Sequence, residues 1–285
     1  QLCDTISVLK KGRCTKTFDN SKYDTAADEI LKEMFSSAFS KNEFEKNTVK
    51  VQQNKSFKNM QKIVFRAKNI NAVSDNIKLK DISFDLYAGT ITIIKGERKA
   101  GLEILENILT GINSPYFSGE IELDGKILKK ITPSLLRSCR TGIVSSNKYF
   151  ISSNPNLLVK EMLLPFMQNK GKDAVKKNLQ QVDELIKNEK VDISKDEPVS
   201  NLSGGMLQRL ILAREILTNP ILLILAEPVH GLDLKTILYF EEQLKKTAEK
   251  GAAILLLTSD VDDGLSDYDF LYELKNGTLE KRQPL

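Results

Sequence analysis

Histidine occurs once in this chain of 285 residues, as His230, and cysteine three times, at Cys3, Cys14 and Cys139. An odd cysteine count without ligand spacing, beside a single imidazole, argues against both a zinc centre and a disulfide framework and suits a reducing compartment. Long apolar runs are also missing. None approaches the roughly 20 residues needed to span a bilayer, and no signal peptide opens the sequence, so attachment to a membrane is expected only through a partner. Nor is there a large charge excess, because 42 basic and 38 acidic residues are interspersed and the net charge is +4. That balance offers neither the basic footprint of a nucleic-acid binder nor an acidic tail. What is present is a globular composition, 41% apolar and 28% charged, sufficient for one large domain or two small ones.

The opening segment CDTISVLKKGR, Cys3 to Arg13, matches the closing segment YDFLYELKNGT, Tyr268 to Thr278, at a constant offset of 265 positions. Asp4 aligns with Asp269, Leu9 and Lys10 with Leu274 and Lys275, and Gly12 with Gly277. Each segment reads as a strand, a two-residue turn and a return strand, a common pattern that nonetheless suggests an internal repeat. Between Lys41 and Lys62 the sequence is dense in Lys, Asn and Gln and poor in apolar residues, which predicts a linker.

From Ile63 onward the pattern alternates between strand and helix. Strands are expected at Ile63 to Arg66, Ile82 to Tyr87, Ile91 to Ile94, Ile221 to Leu225 and Ala253 to Thr258. Helices are expected at Leu102 to Leu109, Leu158 to Gln168, Val175 to Asn188, Met206 to Leu217 and Leu234 to Lys250. Turns are marked by Asp124 with Gly125 and by Asn276 with Gly277. The unbroken runs ILLIL and AAILLL suit strands buried on both faces of a parallel sheet.

Two loops carry chemistry. In IIKGERKAGLEIL, Ile93 to Leu105, Gly96 and Gly101 form the frame of a phosphate-binding loop before a helix. The ligands of such a loop are missing, since Leu102 stands where a lysine would add charge and Glu103 where a hydroxyl would hold Mg²⁺. Lys99 lies three residues early, and Glu103 suits the positive helix terminus in place of a phosphate. In VSNLSGGMLQRLILAREILTNP, Ser203 is a good N-cap, and Gly204 and Gly205 leave backbone amides uncovered at a helix start.

The stretch LSGGMLQ, Leu202 to Gln208, resembles the signature loop of ATP-binding cassette (ABC) proteins, LSGGQ, here with two residues inserted before Gln208, a form common in importer ATPases for simple sugars and nucleosides. At the matching distance, LILAEPVHGLDL resembles the family's catalytic strand and D-loop. The resemblance implies that Glu227 positions the attacking water, that Ala226 has replaced the Mg²⁺-orienting Asp, and that Asp233 belongs to the D-loop. Ser259 falls at the switch position, where many cassettes carry histidine and the sugar and nucleoside importers often serine. Ser145, Ser146, Asn147 and Lys148 stand where that subfamily tends to read Pro-Glu-Asp-Arg, and His230 is assigned no role.

The fold this resemblance implies is α/β: an ABC-type phosphate-loop nucleotide-binding domain with an antiparallel β subdomain and a helical subdomain at roughly residues 147–205. Residues 63–285 would form one cassette, 46–62 a linker, and 1–45 the end of a truncated first cassette. Such cassettes work as head-to-tail pairs, each ATP lying between one phosphate loop and the other's signature loop. Here the positions serving the chain's own nucleotide are altered, while Ser203, Gly204, Gly205, Gln208 and Asp233, which face a partner's ATP, are kept. The expected cofactors are thus ATP and Mg²⁺, mainly through the partner. The expected partners are a second ABC cassette, a membrane permease and, indirectly, a substrate-binding lipoprotein, at the cytoplasmic face of the membrane and with no nucleic acid. A soluble translation-associated ABC protein and a non-catalytic decayed cassette are the alternatives.

Overall fold

The structure is a computed structural model that describes residues 4–10, 13–19, 29–30, 33, 62–74, 77–167, 169–259 and 267–282. The chain divides into two compact units, Gln1–Lys55 and Ser56–Leu285. In the first, β1 (Thr5–Lys10) and β2 (Arg13–Asp19) form an antiparallel hairpin in which Val8 and Phe18 are buried. Cys3 and all of the expected linker except Lys62 lie outside the described residues.

The second unit holds two sheets. A four-stranded antiparallel sheet runs in the order β4 (Ile77–Tyr87), β3 (Ile63–Ser74), β6 (Phe117–Leu123) and β7 (Lys126–Ile127). A six-stranded sheet runs in the order β12 (Thr278–Arg282), β11 (Phe270–Lys275), β5 (Ile91–Gly96), β10 (Ala253–Thr258), β9 (Leu222–Ala226) and β8 (Thr141–Val144). All its neighbours are parallel except the β11–β12 hairpin. Both β6–β7 and β11–β12 turn on residues with positive φ, Asp124 and Gly125 in one and Asn276 and Gly277 in the other, as two-residue hairpins require. Six helices accompany the sheets among the described residues: α1 (Leu102–Thr110), α2 (Pro133–Ser138), α3 (Val159–Leu163), α4 (Ala174–Asn188), α5 (Gly204–Leu217) and α6 (Leu234–Glu249). No helix among the described residues is long and apolar enough to cross a membrane.

The apolar runs follow from the sheet's position between two cores. Along β9 and β10, Leu222, Ile224, Ala226, Ala253, Leu255 and Leu257 enter a core shared with α1 and the antiparallel sheet. The alternate residues, Leu223, Leu225, Ile254 and Leu256, enter a second core with Val159, Val182, Leu210 and Phe240 from the helices. A period of two with both faces buried leaves no polar position in the run.

The helix expected over Leu158 to Gln168 is shorter than its pattern. The α-helix ends at Leu163 and a single 3-10 turn covers Leu164–Phe166. Pro165 explains the stop, because it has no N–H to donate and its ring crowds the preceding turn. The sequence reading also passed over β6, β7, β8 and α2.

Candidate functional site

The carboxyl ends of β5, β8, β9 and β10 lie side by side, the edge where open parallel sheets hold their ligands. After β5 the chain makes one tight 3-10 turn, Arg98–Ala100. The Ala100 and Leu102 N–H groups donate to the Glu97 carbonyl at 3.0 and 3.4 Å, and the Gly101 N–H donates to the Arg98 carbonyl at 3.4 Å. Gly96 and Gly101 therefore stand in a loop whose amides are turned onto its own carbonyls. Their glycine identity has a packing cause: a Cβ on Gly96 would lie 2.9 Å from the backbone oxygen of Leu274, and one on Gly101, where φ is +128°, would lie 2.8 Å from Leu79 Cδ2. Leu102 is 0% exposed within the first core, and Glu103 and Lys99 face solvent.

Strand β9 ends at Ala226, fully buried, and Glu227 follows with φ +48°. Its carboxylate accepts the Ser259 N–H at 3.1 and 3.3 Å, so the residues that follow β9 and β10 meet directly. Arg98 Nη1 lies 3.7 Å from Glu227 and 3.0 Å from Glu106 of α1. Glu106 in turn accepts the Ser145 hydroxyl at 2.8 Å, the Ser146 N–H at 3.0 Å and the Ser146 hydroxyl at 3.1 and 3.0 Å. Lys148 donates to the His230 carbonyl at 3.4 Å; burial pushes its ammonium below the usual lysine range, and the charge of Glu227 works in the opposite direction. Neither Arg98 nor Glu106 was singled out from the sequence. The signal was present, for Glu106 is an acid lying among the apolar positions of α1, where an unpaired charge is costly.

A second group of residues lies at the start of α5. Ser203 Oγ accepts the Met206 N–H at 3.3 Å and caps the helix, with Ser203 and Gly204 exposed. A Cβ on Gly204 would come no nearer than 4.0 Å to another side chain, and one on Gly205 no nearer than 3.8 Å, to Leu232. Packing within the chain thus makes no demand for these glycines. Asp233 is exposed and caps α6, accepting the Thr236 N–H at 3.0 Å and the Thr236 hydroxyl at 2.9 Å. Because Leu232 and Thr236 neighbour Gly205, the loops before α5 and α6 adjoin.

Gln208 requires a correction. It was expected on the presented surface beside Ser203, but it is 0% exposed, with neither side-chain amide atom hydrogen-bonded. Two residues beyond the capped turn, the helix has carried position 208 round to the interior, beside Leu207 and Leu210.

The profile of the ABC transporter family matches residues 79–230, more than half of the chain, from within β4 to the turn after β9. The chain belongs to the ABC transporter family. Among its curated relatives, the probable riboflavin import ATP-binding protein RfuB of Treponema pallidum is 34% identical over 64% of this chain and 33% of its own length. The xylose import ATP-binding protein XylG of Pseudomonas syringae pv. tomato is 30% identical over 98% of this chain and 52% of its own length. A putative ribose/galactose/methyl galactoside import ATP-binding protein of Pseudomonas syringae pv. syringae is 30% identical over 74% of this chain and 41% of its own. The chain therefore spans a third to about half the length of these ABC relatives. The fold agrees with solved ABC structures. A nucleotide-free ATP-binding cassette from an ABC transporter superposes with a TM-score of 0.64 at 19% identity, covering 79% of this chain and 92% of that one. A dimeric ATP-binding cassette in a post-hydrolysis state, bound to ADP and Pi, superposes with a TM-score of 0.64 at 23% identity, covering 76% and 98%.

Proposed function

We propose that this chain is part of the ATP-binding subunit of an ABC importer for simple sugars or nucleosides, and that it lends its signature loop and D-loop to the ATP of a second cassette while its own crevice takes no Mg-ATP. The solute class rests on relatives named for xylose and for ribose or galactose import, and the importer role is favoured over the translation-associated alternative because all three relatives are import proteins by name. The permease, the lipoprotein and a station at the cytoplasmic face of the membrane follow from the same role.

The observation that carries the asymmetry is the state of the loop after β5. Leu102 is built into the core, three loop amides are engaged internally, and Ala226 supplies no metal-orienting oxygen. Glu103 adds negative charge where a polyphosphate would have to sit. The lending elements differ in each respect: Ser203, Gly204 and Asp233 are exposed, and the glycines leave room above the helix start.

The same reading treats residues 1–45 as the end of a preceding cassette. It is supported by the two hairpins, whose strands begin at Thr5 and Phe270 and whose pairs nearest the turn are Lys10 with Arg13 and Lys275 with Thr278, both at an offset of 265.

Calorimetric titration of the purified chain with Mg-ATP tests the asymmetry. No detectable binding at millimolar nucleotide is expected. Clear micromolar binding would overturn it and make this cassette a nucleotide-binding unit in its own right.

A further inference from the structure

Four loops at the carboxyl ends of parallel strands meet around one guanidinium. Arg98, from the loop after β5, faces Glu106 at 3.0 Å and Glu227 at 3.7 Å through a single nitrogen, and both acids are nearly sealed, with side chains 4% and 8% exposed. Glu106 receives the Ser145 and Ser146 groups after the end of β8, and Glu227, which follows β9, receives the Ser259 N–H after the end of β10. We infer that Arg98 is a positioning residue that joins these four loops in the absence of nucleotide, and so holds in place the turn from Glu227 to Asp233 that the cassette offers to its partner.

Two buried carboxylates this close to one crevice repel each other unless a cation lies with them, and a buried acid without a partner is strongly unfavourable. Arg98 supplies that cation from within the chain. Its Nη1 is buried and makes no aligned hydrogen bond, so the tie is one of charge shared between two acids rather than a fork on one of them. Lys148 feels the charge of Glu227 and reaches the His230 carbonyl in the same turn, but it comes from the β8 loop and no charge of Glu106 acts on it. Lys99, adjacent to Arg98, points to solvent and takes no part. The arrangement uses the edge of the sheet where a ligand would otherwise join the loops.

The inference deepens the proposed function and rests on its reading that this crevice takes no Mg-ATP, so the two are tested separately. Hydrogen exchange of the full chain without nucleotide tests the Arg98 tie by comparing the parent with Arg98→Met, Arg98→Lys and Lys99→Met. Arg98→Met is expected to raise exchange by about tenfold or more in the segments 144–152 and 227–233, as release of two buried acids should. Arg98→Lys, which keeps the charge, should rise less, and Lys99→Met should match the parent. If Arg98→Met does not fold, Arg98→Lys carries the test through a smaller rise confined to the same segments. Exchange in those segments equal to the parent, or a rise matched by Lys99→Met, would overturn the tie. The other reading fails by a different result, new protection of residues 97–103 in the parent chain on adding Mg-ATP.

Discussion

The backbone N–H of Ser259 lies against both carboxylate oxygens of Glu227, at 3.1 and 3.3 Å, and joins the end of β10 to the end of β9. The carboxylate of Glu227 is thus engaged by its own chain, and its side chain is nearly inaccessible to solvent. Glu227→Gln keeps an acceptor for Ser259 and should cost little stability. Glu227→Ala leaves a buried N–H without its partner and should cost about 1–3 kcal/mol in urea unfolding. Equal stabilities for the two variants would show that the contact does not contribute.

Leu102 is the position at which the family's pattern would put a lysine, and the fold has made it part of the core. Leu102→Ala should destabilise by about 2–5 kcal/mol, and Leu102→Lys by at least as much, because it exchanges an apolar side chain for a buried ammonium. Leu102→Lys, Glu103→Ser and Ala226→Asp together should give a chain that is less stable alone but is stabilised by Mg-ATP, through the linkage of binding to folding. The measurement is thermal unfolding with and without nucleotide. A folded triple variant indifferent to Mg-ATP would show that these three positions do not decide whether the chain binds nucleotide.

Glu215 of α5 is completely buried and holds two arginines, Arg137 Nη1 at 2.8 Å and Arg214 Nη2 at 2.9 Å, and it also accepts the Ile143 N–H of β8 at 3.2 Å. Burial pulls the Arg214 guanidinium below its ordinary range while Glu215 pushes it back up, and both arginines stack on Phe166. Removing the one acid strands a buried cation, so Glu215→Ala should cost about 3–5 kcal/mol. Glu215→Gln, which keeps an acceptor, should cost less. The urea midpoints of the two variants measure the difference.

The parallel strands were legible because burial on both faces writes itself as an uninterrupted apolar run, and Ala253–Thr258 folds with the bounds its sequence suggested. The antiparallel sheet was harder. In β3, Asn69 takes φ +49° and Asn71 bonds across to Asp81, so the strand continues through residues that read as breakers. Strand β8 is only four residues long, too short for a pattern. Among the candidate site residues, Ser203, Gly204, Gly205 and Asp233 were picked out by local motifs, whereas Arg98 and Glu106 acquire their meaning only when the sheet brings β5, α1 and β8 together. Gln208 failed for the opposite reason, since a motif match carries no information about which way a helical position faces.

Glu189, at the end of α4, accepts a hydrogen bond from the Tyr239 hydroxyl of α6, and Arg209 of α5 lies over the Tyr239 ring at 4.2 Å. Burial raises the Glu189 carboxyl above its ordinary value of 4.5, a shift partly offset by the Tyr239 hydrogen bond and the Arg209 charge. The same burial, with the Glu189 contact, raises the Tyr239 phenol. A carboxyl with a raised folded pKa keeps its proton in the native state over a range where the unfolded chain has lost it. Native stability from this group is therefore full below pH 4.5 and falls as pH rises through the folded value. Glu189→Gln removes the titration and retains an acceptor for Tyr239. Relative to the parent, the Gln variant should show no advantage below pH 4.5 and a growing advantage as pH rises toward neutrality, measured by urea unfolding across that range. A difference between the two chains that does not change with pH would show that Arg209 and Tyr239 compensate the burial of Glu189 in full.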